Sequence, residues 1–194
     1  MTQIRVLTLV GLLLPIAIGA QQPSVSAPQP PQNPITETVK GFGYYGGWLL
    51  AAFDSIPASQ YGFRPKPTQQ TVGYIAQHLE DANYGLCARF GGLMRHVTAK
   101  DSLADTIKAR WPKDTLVARL RTSLIFCRDA IGTLTDARLA EELPAGKGPA
   151  GRQAPRARFV LLFLTDLAEH YSQVANYMRA LGLVPPSALP RSGQ

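Results

Sequence analysis

The sequence predicts an all-α chain, an up-down-down-up four-helix bundle preceded by a signal peptide and a disordered linker. Three observations predict it. Apolar residues recur at helical spacing in four long stretches, Gly and Pro punctuate the joints between them, and no stretch alternates apolar with polar residues as a half-buried strand does. The 194 residues, 45% of them hydrophobic, suffice for one domain with a real core. The 16 prolines and 17 glycines gather at the ends and at a few joints, so the composition is not that of a wholly disordered chain.

Residues 1–20 read as a secretory signal. Arg5 is the only charged side chain, Val6 to Ile18 is an apolar run short for a membrane span, and Gly19–Ala20 offers small residues for cleavage. A retained N-terminal anchor is the competing reading. Cleavage would leave no stable membrane anchor and an exported chain, periplasmic or secreted. Residues 21–34, QQPSVSAPQPPQNP, have the composition of an extended linker. The bundle is expected over 35–187, with a disordered tail at 188–194.

The first helix is expected over Thr36–Ser55. Thr36 serves as N-cap, and Ile35, Val39, Phe42, Tyr45, Trp48, Leu49, Ala52 and Phe53 recur at helical spacing. Gly41, Gly43, Gly46 and Gly47 weaken it, so it needs tertiary packing, and close approach of another helix would use those small residues. Pro65 and Pro67 keep the following joint extended. A second helix is expected over Thr68–Gly91, capped by Thr68, carrying the stripe Val72, Ile75, Leu79, Ala82, Leu86 and Phe90, and stopped by Gly91–Gly92. Ser102, with Asp105 as the acid of a capping box, begins a short piece to Arg110. The third long helix is expected over Pro112–Leu134, burying Leu116, Leu120, Leu124, Phe126, Cys127 and Ile131. After a flexible loop from Pro144 to Gly151, the fourth runs from Ala154 to Leu181 and ends at Gly182, with Pro185–Pro186 beyond.

The net charge is +7, but the basic residues are scattered and the only cluster, Arg152, Arg156 and Arg158, sits at a helix start. That pattern reads as surface and solubility rather than nucleic-acid binding. The two cysteines, Cys87 and Cys127, allow one pairing. In an oxidising compartment a bridge would close a loop of about 40 residues and add roughly 3–4 kcal/mol. Two small buried thiols are the alternative.

The histidines decide what chemistry is available. On a helical wheel His170 falls near the middle of the face formed by Phe163, Leu167, Val174, Tyr177 and Leu181, and Asp166 lies on its flank one turn earlier. His78 sits at the edge of the Ile75, Leu79 and Ala82 stripe, and His96 lies beyond the glycine stop. A buried Asp is costly unless it is paired or metal-bound. Two arrangements satisfy it. Either His78, Asp166 and His170 converge on a divalent ion and leave positions open for water or substrate, or Asp166 and His170 share a buried hydrogen bond while His78 is half exposed. By spacing alone the second is the commoner arrangement.

Two stretches, SIPASQYGFRPKPTQQTVGYIAQHLEDANYGLC at 55–87 and DLAEHYSQVANYMRALGLVPPS at 166–187, resemble the DinB/YfiT-like metalloenzyme family. They match its Ile-Pro…Tyr-x-Phe-Arg-Pro joint, its helix-two histidine and its final HYxQ…Y-x-R…G-x-x-PP helix, and with the helix spacing between them the resemblance covers nearly all of 36–187. It implies the up-down-down-up four-helix bundle. It also implies a divalent metal, zinc or nickel first and iron or manganese next, held in many members by one histidine on the second helix and two on the last. His78 and His170 match the outer two, and Asp166 stands where the middle histidine would, a legitimate ligand that makes the set resemble a facial triad. The implied activity is metal-dependent transfer or hydrolysis on a small-molecule or thiol substrate. Tyr177, Gln173 and Asn83 are candidates to line the pocket or support the ligands, with a core tyrosine and solvated helix faces as the plain alternatives. A homodimer through the first helix and a non-catalytic metal- or ligand-binding envelope bundle complete the expectations.

Overall fold

The computed structural model describes residues 32–145 and 152–190, all within one compact unit, 31–194. The expected signal peptide, residues 21–31 of the linker and the last four residues lie outside the described part. The described chain is mostly helical, with one small two-stranded sheet. No helix among the described residues is long and apolar enough to cross a membrane.

The single first helix expected over Thr36–Ser55 is two: α1 (Pro34–Gly41) and α2 (Tyr44–Ser55). The break falls at Phe42–Gly43, between two glycines of low helix propensity, whereas the consecutive Gly46–Gly47 stays helical where Gly46 packs against Leu124. Thr36 is not the cap. Asp136, beyond the third long helix, takes that role from a distance: its carboxylate accepts from the amides of Ile35 (3.0 Å) and Thr36 (2.8 Å) and from the Thr36 hydroxyl. Partial burial would raise the Asp136 pKa, but these hydrogen bonds hold it below its ordinary value.

α3 (Val72–Gly91) begins four residues later than expected, capped by Thr71, whose hydroxyl accepts from the Tyr74 amide at 3.2 Å. Thr68 is excluded because the chain folds back on the helix start, with the Val72 and Gly73 amides donating to the carbonyls of Phe63 and Tyr61. Gly73 permits the close fit: a Cβ there would lie 2.2 Å from the Ala109 carbonyl oxygen. Gly92, at φ 68°, closes α3 in the left-handed conformation.

The next cap also differs from expectation. Two Ser/Thr-x-x-Asp spacings follow one another here, Thr98–Asp101 and Ser102–Asp105, and the capping box forms at Thr98 and Asp101, on a 3-10 turn over Ala99–Ser102. Asp101 also meets Arg119 across the fold, which favours the earlier copy. α4 (Asp105–Lys108) then starts from Ala104 with no side-chain cap. α5 (Lys113–Gly132) and α6 (Arg156–Ala180) follow the expected third and fourth helices closely. Between them β1 (Glu142–Pro144) pairs antiparallel with β2 (Gln153–Pro155), Leu143 facing Ala154. Strands of three residues are too short to show alternation, so the sequence carried no sign of them.

α3 packs against both α5 and α6, and α2 packs against α6 and α5. Leu49, Phe53, Ile75, Leu79, Phe90, Leu120, Leu167 and Val174 are buried where these helices meet, each contributing about 1.5–3 kcal/mol on burial. Leu124 and Phe126, expected in the core, are only half-buried, Phe126 resting on Tyr84.

The α3–α5 seam is the tightest. Cys87 and Cys127 form a disulfide across it, with Cα atoms 5.1 Å apart. A Cβ on Gly91 would come within 2.6 Å of the Ala130 methyl, so this approach needs glycine. Arg119 forks onto the buried Glu80 (2.6 and 2.8 Å) and reaches Asp101. Burial pushes the Glu80 carboxyl up against the pull of that guanidinium. Of the basic cluster at the start of α6, Arg152 and Arg158 are exposed, but Arg156 is buried and donates to the carbonyls of Phe90 and Arg138 and to Glu141.

Replacing both cysteines by alanine is expected to lower unfolding stability by about 3–4 kcal/mol, the entropy returned to a loop of roughly 40 residues. Urea titration with and without reductant measures it; an unchanged midpoint would show that the bridge adds nothing. Asp101 supplies a pH signature. Burial alone would raise its pKa, but the Thr98 amide and hydroxyl and Arg119 outweigh burial and hold it well below the usual carboxylate range. A lowered folded-state pKa stabilises the fold above the unfolded value, and that contribution is lost as pH falls through the folded value. Asp101→Asn should therefore melt earlier than wild type at neutral pH, and the gap should close below about pH 4.

Candidate metal centre

Three side chains from two helices meet where α3 lies against α6. His78 comes from the second turn of α3; Asp166 and His170 stand one turn apart on α6. The helical stripe of α6 turns His170 inward, between Leu167 and Val174, both buried. Asp166 Oδ1 lies 3.5 Å from His170 Nε2 and 3.8 Å from His78 Nε2, and one donor atom from each residue fits within a 4.8 Å span. The imidazole centroids are 4.9 Å apart at 66°. Both separations are longer than the roughly 2.7–2.9 Å of a well-formed charge-assisted hydrogen bond, so neither imidazole closes tightly on the carboxylate. Donors around a tetrahedral zinc stand about 3.3 Å apart; the two carboxylate–imidazole distances are a few tenths of an ångström longer, and the full 4.8 Å span would have to contract on an ion.

Electrostatics agree with the geometry. Burial acts to raise the Asp166 pKa, but the two imidazoles outweigh it and bring the carboxyl down to about 2. Burial lowers His170, and Asp166 with Gln173 more than compensates, so its pKa is raised. Asp166 Oδ2 is buried without a hydrogen-bond partner. A charged oxygen left so is costly, and a cation held by the three residues would remove that cost. The residues present therefore fit a divalent ion.

A relay behind His170 sets which nitrogen faces the centre. The Tyr177 hydroxyl donates to the Gln70 carbonyl (3.0 Å), which can only accept, so it accepts from Gln173 Nε2 (3.1 Å). That turns Gln173 Oε1 toward His170 Nδ1, 3.0 Å away. Nδ1 consequently carries the proton, and Nε2 presents its lone pair to the cluster. Gln173 and Tyr177 thus stand behind the centre, and Tyr177 is buried against Phe63 as well. Asn83 faces elsewhere: it is buried against α5 and donates to Ser123 Oγ at 2.9 Å. His96 is exposed in the segment after α3.

Two contributors were not anticipated. Tyr74 lays its ring parallel to that of His78, centroids 6.4 Å apart, and the four-residue spacing on one helix was the signal that could have revealed it. Gln70 contributes a backbone carbonyl, which no side-chain pattern announces. The centre is open on one side: the side chain of His78 is 37% exposed, against 22% for Asp166 and 9% for His170.

Comparison with known proteins places this chain in a family. The chain aligns with a crystal structure of a DinB-like protein from Bacillus cereus ATCC 10987, at 19% sequence identity and a TM-score of 0.59, over 80% of this chain and 97% of that one. This likeness is one of fold. No curated protein matches the chain. Residues 48–174, well over half of the length and including all three residues of the cluster, match the DinB superfamily, and the chain belongs to that superfamily.

Proposed function

We propose that this is an exported DinB-superfamily metalloprotein, an up-down-down-up four-helix bundle whose His78, Asp166 and His170 bind one divalent ion for a transferase- or hydrolase-type reaction. The observation that carries the reading is the buried, unpartnered Asp166 Oδ2 beside two imidazoles. The bundle topology is supported by the way α2, α3, α5 and α6 each meet two of the others. Export is supported by the Cys87–Cys127 bridge, since such bonds persist in oxidising compartments, and by the apolar run after Arg5.

When bound, the ion supplies Lewis acidity and makes a water or thiol beside it more acidic. Zinc or nickel suits an imidazole-rich set; iron and manganese are compatible with two histidines and a carboxylate. The protein's own contribution is placement. Asp166 supplies negative charge, the Gln173–Tyr177 relay fixes the tautomer of His170, and Tyr74 backs the ring of His78. The exposed edge of His78 favours a reactive centre over a closed structural one, since a closed site would bury every donor.

Metal analysis after reconstitution should find a single equivalent in wild type and none in His170→Ala or Asp166→Ala. Wild-type protein that takes up no stoichiometric metal from zinc, nickel, iron or manganese would sink the reading. Gln173→Leu should retain the fold but weaken metal binding about 10–100-fold, by releasing the His170 ring; competition against a chromogenic chelator gives the value, and unchanged affinity would remove the relay's role.

A further inference from the structure

A second feature adjoins the metal centre. A cleft of about 880 Å³ opens between the start of α3, the end of α4 and the start of α5. Two residues connect it to the centre. Tyr74 lines the cleft and also backs the His78 ring; Gln70 lines it and accepts from Tyr177 at the end of the relay from His170.

The cleft is unevenly charged. Arg64, Arg110 and Lys113 line it, against the single carboxylate of Asp114. Lys113 donates to the carbonyl of Asp54 and brings its charge without a counterion. The side chains of Arg64 and Arg110 make no hydrogen bond, ion pair or ring contact among the described residues. Elsewhere Arg95 and Arg119 meet acids and Arg156 is locked into the fold, while Arg121, Arg152 and Arg158 are exposed singly; Arg64 and Arg110 differ from these in lining one cleft. Two arginines without side-chain partners, from separate segments, line this one concave site, and a guanidinium group matches the planar oxygens of a carboxylate or phosphate. Tyr74 and Trp111 add aromatic wall, and the ring faces turned away from His78 and from Arg119, which lies 4.9 Å over Trp111, suit a flat apolar group.

We propose that this cleft binds the anionic portion of the substrate: a small molecule whose carboxylate or phosphate lies on Arg64 and Arg110 and whose planar part rests on Tyr74 and Trp111, so that the rest extends toward the open side of His78. The assignment of this molecule as substrate rests on the functional reading above. Its binding does not require the metal, because none of the cleft's lining residues is a candidate ligand.

Calorimetric titration of the full chain at low ionic strength tests this, both chelator-stripped and zinc-loaded, with phenyl phosphate, inorganic phosphate and neutral benzamide as probes. Phenyl phosphate should bind stripped protein saturably and more tightly than inorganic phosphate, and benzamide should not bind. Arg64→Gln and Arg110→Gln should each weaken phenyl phosphate about tenfold or more, the loss expected for a charged hydrogen bond. Arg121→Gln, an exposed arginine away from the cleft, should leave it unchanged. No saturable binding to stripped protein overturns the proposal, as does equal weakening by Arg121→Gln, which would mark simple attraction to a basic protein. Binding only to zinc-loaded protein also overturns it, while leaving the metal reading intact. Binding to stripped protein that never incorporates metal would instead uphold the cleft and remove the metal reading.

Discussion

A carboxylate held in a largely apolar helix interface is the constraint around which this molecule is organised. Asp166 has one oxygen near two imidazoles and the other buried with no partner. Removing a charge from water is among the largest penalties a fold can carry, and partial pairing does not cancel it. The two imidazoles are sufficient to keep the carboxyl ionised, as its depressed pKa shows, but they leave its second oxygen unsatisfied. That combination is poor design for a purely structural contact and good design for a site that takes a cation.

Such a site works only if α3 cannot drift from α6, because His78 is the one donor supplied by a different helix. The scaffold restrains α3 at both ends. At its start, the Tyr61–Phe63 segment folds over the first turn, and Gly73 lets the Ala109 backbone close in. At its end, the Cys87–Cys127 bridge and the Gly91–Ala130 contact lock it to α5, and Arg156 ties the Phe90 carbonyl to the start of α6. The turn carrying His78, second from the start of the helix, is thereby held by restraints that do not themselves consume its imidazole. Placement by rigid elements, with supporting hydrogen bonds behind the donors, is what a metal or catalytic site requires.

Charge is distributed to the same end. The acids of α3 and the following segment are matched by Arg95, Lys108 and Arg119, which secures the long connection between α3 and α5. The excess positive charge is left partly unpaired at Arg64 and Arg110, on the cleft beside His78. A net charge of +7, which by composition reads as solubility, therefore acquires a local geometry in the folded protein.

The long helices were legible in the sequence because their apolar period and glycine stops are local properties: α3, α5 and α6 lie within a few residues of the expected spans. The Asp166–His170 pair was legible for the same reason, since residues four apart on one helix must share a face. The break at Phe42–Gly43, the capping of α1 by Asp136, the choice of Thr98 over Ser102 and the short hairpin were not. Each depends on a partner distant in sequence, or on strands too short to carry a period. Helix-by-helix patterning determined which side chains could turn inward; the packing of α3 against α6 decided that His78 meets Asp166 and His170, because the distance between two helices is set by everything packed around them and not by either sequence alone.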